Sequence, residues 1–183
     1  EIGLQDDHDA PSVEGSGARA SARTPMQWDD SRNAGFSAAP KNKLYLPVNR
    51  DFKERNVKMQ TCKPGSVLDE TRKLIALRRE HPALRAKAGK TTLYAKKRDA
   101  AYVYARYDGE ETLVIALNPG KTPRKITVDL SRLSQNRGKT FALKALVSKS
   151  GMEFPTTAVR AGIARLELMP FAYHVLKMEE SAG

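Results

Sequence analysis

The sequence predicts a mainly β protein: an antiparallel β-sandwich preceded by an irregular segment and one amphipathic helix. Three observations lead there. Seven short β-prone runs follow residue 90, each bounded by Gly, Pro, Asp or Asn, the pattern of strands joined by turns. A single helical period precedes them. Before that, Pro11, Gly15, Gly17, Pro25, Gly35, Pro40, Pro47 and Pro64 interrupt every candidate element.

Residues 1–64 are therefore read as irregular. A compact domain rarely contains a structureless connection of that length unless it is functional or packs on something else, so this segment is expected to lean on a partner surface. From Ser66 the pattern changes. Ser66 stands three residues before Asp69, a capping arrangement, and Val67, Leu68, Thr71, Leu74, Ile75 and Arg78 recur at helical spacing up to His81-Pro82. This predicts a helix over 66–80 that buries Leu68, Leu74 and Ile75. The predicted strands are 91–96, 100–107, 111–118, 124–130, 140–148, 163–169 and 171–178. Asp108-Gly109, inside "YDGEE", marks a tight hairpin between the second and third.

A chain of 183 residues with 40% hydrophobic content can supply a core. Cys62 is the single cysteine, which excludes an internal disulfide and a four-cysteine zinc site and suits a reducing, cytoplasmic setting. The opening EIGLQDDHD has no basic, apolar and cleavage pattern, so Glu1 is expected to be a cut point and not a leader. No run reaches the roughly 18 apolar residues a spanning helix needs, and no membrane partner is expected. The net charge is +11, with 18 Lys+Arg against 7 Asp+Glu in residues 82–178 and 14 against 12 in residues 1–81. Two readings are open: a footprint for a polyanion, or a β-rich surface studded singly with Lys90, Arg106, Lys144, Arg165 and Lys177. No nucleic-acid motif accompanies the charge, so nucleic acid is not an expected partner.

"RTPMQWDDSRNAGF", followed in order by "YLPVN", "NV" and "SVLDETRKLIALRREHPAL", resembles the C-terminal third of the α-amylase superfamily of glycoside hydrolases, in its α-glucosidase and oligo-1,6-glucosidase branch. "EIG" is similar to the segment leading out of the eighth barrel strand, and "AYVYARYDGEETLVIALN" to two central strands of the C-terminal domain. The resemblance implies that residues 1–82 are the tail of a catalytic (β/α)8 barrel, namely its eighth βα-loop and last helix. Residues 83–178 would be the C-terminal β-sandwich and 179–183 a disordered tail. The long irregular start then becomes a loop on the active-site face of a barrel. "NKLYLPV" and the short loop after "EIG" also resemble trehalose synthases.

The same resemblance implies a retaining α-glucosidase acting on short α-linked glucosides, whose nucleophile, acid/base and third Asp lie upstream of Glu1. No catalytic residue, metal or cofactor is therefore assigned to this chain, which alone is expected to be silent. Arg19 and Arg23 are the substrate-binding candidates, because both occupy arginine positions of the family's Arg-Asp-Asn-x-Arg pattern. Here it reads Arg-Ala-Ser-Ala-Arg, so the acidic neighbour is missing. A planar guanidinium can bridge sugar hydroxyls and a carboxylate; loop-holding ion pairs are the alternative. Trp28 either stacks on a pyranose or plugs its loop into the barrel rim.

Other chemistry is weighed against these. Asp6, Asp7, His8, Asp9 and Glu14 can imitate a carboxylate pair or ligate a cation, or form a solvated acidic loop. His81 is expected to close the helix on its terminal carbonyls and His174 to sit on a strand, neither with a partner at catalytic spacing. Cys62 beside Lys63 is expected to be inert. A stand-alone carbohydrate-binding or structural sandwich remains an alternative to the glucosidase reading.

Overall fold

The computed structural model describes residues 24–109, 111–133, 140–149 and 154–181. Two compact units divide at Ala76/Leu77, inside the long helix.

The first unit holds short 3-10 turns at Arg32–Gly35 and Lys41–Lys43, helix α1 (Val57–Thr61) and the start of α2 (Val67–Glu80). Asn56 caps α1: its Oδ1 accepts from Met59 N at 2.8 Å. Ser66 caps α2 as predicted. Its hydroxyl accepts from Asp69 N at 3.2 Å, while Asp69 Oδ2 accepts from Gly65 N at 2.8 Å, so two amides that the helix leaves unsatisfied find partners. The expected burial on α2 is corrected. Leu74 and Ile75 are 40% and 48% exposed, Leu68 is only partly buried, and Leu77 is the buried residue. A helical repeat shows which residues share a face but not which face finds a partner.

The described residues of the second unit form eight strands: β1 (Gly89–Ala95), β2 (Tyr102–Tyr107), β3 (Thr112–Asn118), β4 (Arg124–Asp129), β5 (Phe141–Lys149), β6 (Thr157–Val159), β7 (Ile163–Leu168) and β8 (Ala172–Glu180). Every pairing is antiparallel. A six-stranded sheet runs β1-β2-β3-β8-β5-β6, and β4 pairs with β7 in a second sheet. The class, mainly β and antiparallel, is the one predicted. All seven predicted strands are present. β6 was not predicted, since three residues beside Pro155 offer no alternation to read.

One core joins the sheets. Val103 and Ala105 of β2, Val114 and Ala116 of β3 and Leu176 of β8 meet Ile126 and Val128 of β4 and Leu166 and Leu168 of β7. The second sheet alternates strictly, buried in and exposed out, as a strand with one wet face should. β3 does not: Leu113 and Ile115, on its other face, are also buried, in a second cluster with Leu77, Ala83 and Val175. That second cover explains why "TLVIAL" is a continuous apolar run.

The hairpin at Asp108-Gly109 forms with Gly109 at φ 102, a backbone region nearly closed to side chains with a Cβ. Gly89 meets a different demand. A Cβ there would lie 2.3 Å from the Tyr107 ring on the paired strand.

Candidate functional site

The predicted substrate-binding residues Arg19 and Arg23 and the acidic cluster at 6–14 lie outside the described residues. The description begins at Thr24, one position after Arg23. From there the "TPMQW" stretch can be built atom by atom.

Gln27 is its anchor. The side chain is buried and donates from Nε2 to Arg55 O at 2.6 Å, while Val57 N donates to Gln27 O and Lys58 N to Trp28 O, each at 2.9 Å. The stretch is thereby laid against the first turn of α1. Asn56, fully buried, fixes that turn: besides capping, its Nδ2 donates to Phe52 O at 2.8 Å and Lys53 O at 3.2 Å. After Trp28 the chain reverses. Trp28 N donates to Ala34 O at 2.8 Å, and Asn33, Ala34 and Gly35 take φ of 52°, 53° and 77°. Left-handed backbone is costly for Ala34, and the Asn33 side chain secures it by donating from Nδ2 to Ser37 O at 2.8 Å and Ala39 O at 2.9 Å. Asp29 closes the reversal by accepting from Ser31 N at 2.8 Å and from the Ser31 hydroxyl. These bonds, the hydroxyl first, hold its carboxyl below the usual range. Lys58 pairs with Asp30 at 3.0 Å.

The product is a loop whose amides Gln27 and Asn33 face inward while its largest apolar side chains, Met26 and Trp28, face water. Trp28 is 53% exposed, Met26 is exposed beside it, and Thr24, Pro25, Gln27, Phe36, Pro47, Val48 and Asn49 line a shallow recess. Gln27, Asn33 and Asn56 were not singled out by sequence reasoning. Asn56 ahead of Val57 was legible as a helix cap. The anchoring of Gln27 depends on a residue 28 positions away.

The histidines are placed differently from expectation. His81 N donates to Leu77 O at 3.0 Å, the expected helix end, but its ring has a partner the sequence hid. Its Nδ1 lies 2.9 Å from Glu111 Oε2, and Glu111 Oε1 accepts from Ala83 N at 3.1 Å. His174 sits on β8 as predicted, and the expectation that no partner stands at catalytic spacing is corrected. Its Nδ1 lies 2.9 Å from Ser148 Oγ, because β5 and β8 pair those residues in register. The pair is chemically mute. Burial pushes the imidazole down to about 4, too low for a base near neutral pH, and no acid orients it: Nε2 is buried without a hydrogen-bond partner and Phe154's ring centroid is 4.4 Å away. Cys62 is exposed. Among the described residues no group of His, Cys, Asp and Glu can hold a metal ion, and no helix is long and apolar enough to cross a membrane.

Comparison with known proteins gives this loop its context. Residues 3–87 match the α-amylase catalytic-domain family. The chain is 42% identical over 106 residues to the oligo-1,6-glucosidase of Parageobacillus thermoglucosidasius, a match covering 57% of this chain and 18% of that protein. It is 36% identical over 121 residues to the trehalose synthase/amylase TreS of Mycobacterium tuberculosis, covering 63% and 20%. The trehalulose synthase MutB of Pseudomonas mesoacidophila MX-45 superposes with a TM-score of 0.70 at 32% identity, over 88% of this chain and 26% of that one. The chain thus spans about a fifth of the length of these curated relatives. Residues 3–87 are thus similar to the catalytic domain of the α-amylase family, and the likeness to the named glucosidase, TreS and MutB continues beyond them.

Proposed function

We propose that this chain is the C-terminal portion of a retaining α-glucosidase-type enzyme acting on short α-linked glucosides. In this reading residues up to the end of α2 form the rim and last helix of the catalytic barrel, and the sheet pair is its C-terminal sandwich. The supporting observation is the match of residues 3–87 to the catalytic-domain family, together with a "TPMQW" loop held rigid from within by Gln27, Asn33 and Asn56. A rigid loop suits a sugar-positioning rim, because misplacement by about 1 Å can cost 100-fold in rate.

The chemistry needs two carboxyl groups about 5–5.5 Å apart across the scissile bond. We assign that pair to chain outside these 183 residues. Arg19 and Arg23 are proposed to contact glucose in the cleaved subsite and to anchor the loop, respectively. The likeness to TreS favours a second reading of the same site, isomerisation of maltose to trehalose, in which the glucosyl group is passed back to glucose and not to water.

The test uses the polypeptide as its source makes it, detected with an antibody to the sheet pair. A product larger by about 250 residues, the size of a barrel, that hydrolyses maltose or isomaltose supports the glucosidase reading; conversion of maltose to trehalose supports the second. A native product of the present length, inactive on both maltose and isomaltose, overturns both.

A further inference from the structure

Antiparallel pairing decides which turns share an end of the sheet pair. Ala95 pairs with Tyr102, Tyr102 with Leu117, Leu117 with Tyr173 and Tyr173 with Lys149. The β1–β2 turn, the β3–β4 turn, the start of β8 and the end of β5 therefore meet at one end. They bring Lys96, Lys97, Arg98, Lys121 and Lys149 together, all exposed. Among the described residues of these turns the one carboxylate is Asp99, and it is engaged: it accepts from the Tyr94 hydroxyl at 2.7 Å and Ala101 N at 3.1 Å and lies 3.3 Å from Arg124. The opposite end mixes signs: it holds Asp108, Glu111 and Asp129 as well as Arg85, Lys87, Lys90, Arg132 and Arg160, and Asp129 lies 3.8 Å from Arg132. Five exposed cations thus share one end with a single, engaged carboxylate among the described residues.

A second observation falls at the same place. Phe171, the residue before β8, is 65% exposed and has φ 54. A bulky side chain in left-handed backbone is an outlier that the surroundings must enforce. Here Phe171 N donates to Gly120 O at 3.2 Å, which pins the aromatic ring's backbone beside Lys121. The side chain itself stays mostly exposed.

We propose that this end of the sheet pair binds an anionic polysaccharide: the cations pair with its acidic groups, and the Phe171 ring lies on the apolar face of one pyranose. One projecting aromatic among cations spread over separate turns suits this ligand. Single-stranded nucleic acid is instead met by a groove with stacking rings for successive bases. The proposal is independent of the catalytic reading.

Heparin, an acidic polysaccharide, is the probe, and the 183-residue chain is the protein. Binding is measured against salt for the wild type and for two triple variants with the same charge change. One is Lys96→Glu/Lys97→Glu/Lys121→Glu; the other is Arg132→Glu/Lys144→Glu/Arg160→Glu, placed away from that end. The wild type is expected to bind with a steep salt dependence. The first triple should lower the slope of log affinity on log salt by about 2–3, near one for each cation removed from the polyanion, and the second should lower it by less than about one. Phe171→Asn keeps a residue that tolerates left-handed backbone and should weaken binding severalfold at a salt concentration where charge is screened. It keeps the test open if the first triple fails to fold. Failure of the wild type to bind at low salt overturns the proposal. So does equal loss in both triples, or a (dT) oligomer binding as tightly as heparin with the same sensitivity to Phe171→Asn.

Discussion

The two units bury opposite kinds of side chain. In the described part of the first, the buried residues are Gln27, Asn33, Ala34 and Asn56, three of them amides. In the second, two apolar clusters fill the interior. The large apolar side chains of the first unit lie on its surface instead: Met26, Trp28, Tyr45, Met59, Val67, Leu74 and Ile75 are all exposed. A network of buried amides fixes the geometry of a loop, but each hydrogen bond contributes only about 1 kcal/mol net. Burying a Leu or Val contributes about 1.5–3 kcal/mol. The first unit is thus well defined without being well stabilised.

Hydrogen exchange would show this contrast at its largest. Amides of β2, β3 and β8 should exchange only through global opening, at a cost of several kcal/mol, and those of residues 24–66 through local opening near zero. Uniform protection across the chain would break the comparison.

Substitution of Asn118 sharpens it from the other side, since among the described residues this is the second unit's one buried amide. Its Nδ2 lies 3.0 Å from the carbonyls of Thr122, Leu168 and Met169, and its Oδ1 accepts from Gly120 N at 3.1 Å. Asn118→Ala leaves buried carbonyls bare and should cost about 3 kcal/mol in urea unfolding. A loss below about 1 kcal/mol would mean that amides matter no more in this unit than its packing tolerates.

Acid should weaken the second unit through His174. Its folded pKa, about 4, lies below the ordinary imidazole value of 6.5, so the unfolded chain binds a proton first. Stability is complete above pH 6.5 and falls as pH drops toward 4, by at most about 3.4 kcal/mol at roughly 1.36 kcal/mol per pH unit. Unfolding free energies at about pH 7 and pH 5 should differ less in His174→Gln than in the wild type; an identical slope would show that His174 does not titrate in that window. The smallest effect is expected at the start of α2, where Ser66→Ala removes a cap worth about 1 kcal/mol. It should raise exchange in residues 67–70 and leave β3 unchanged.

The sequence made the second unit largely legible because its signals are local. Alternation in "RKITVDL" and the Asp108-Gly109 turn, like the Ser66 cap in the first unit, each act within a few residues, and each appears where it was expected. What it could not show depends on pairs distant in the chain: Gln27 with Arg55, His81 with Glu111, Ser148 with His174. Periodicity also failed on α2, where Leu74 and Ile75 keep the right spacing and remain exposed. For the candidate site, family likeness was the informative signal. Arg19 and Arg23 have no spacing of their own that distinguishes a sugar ligand from a loop anchor.

The double-sided burial of β3 matters to anyone who wishes to move the sheet pair into another protein. Leu77 covers Leu113, Ile115 and Val175 together with Ala83. A graft begun at Pro82, the visible end of the helix, would keep Ala83 but lose Leu77 from that cover and bare apolar surface on the central strands, the kind of surface that drives self-association. A graft begun before Ser66 would carry the helix, its cap and its lid as one transferable piece.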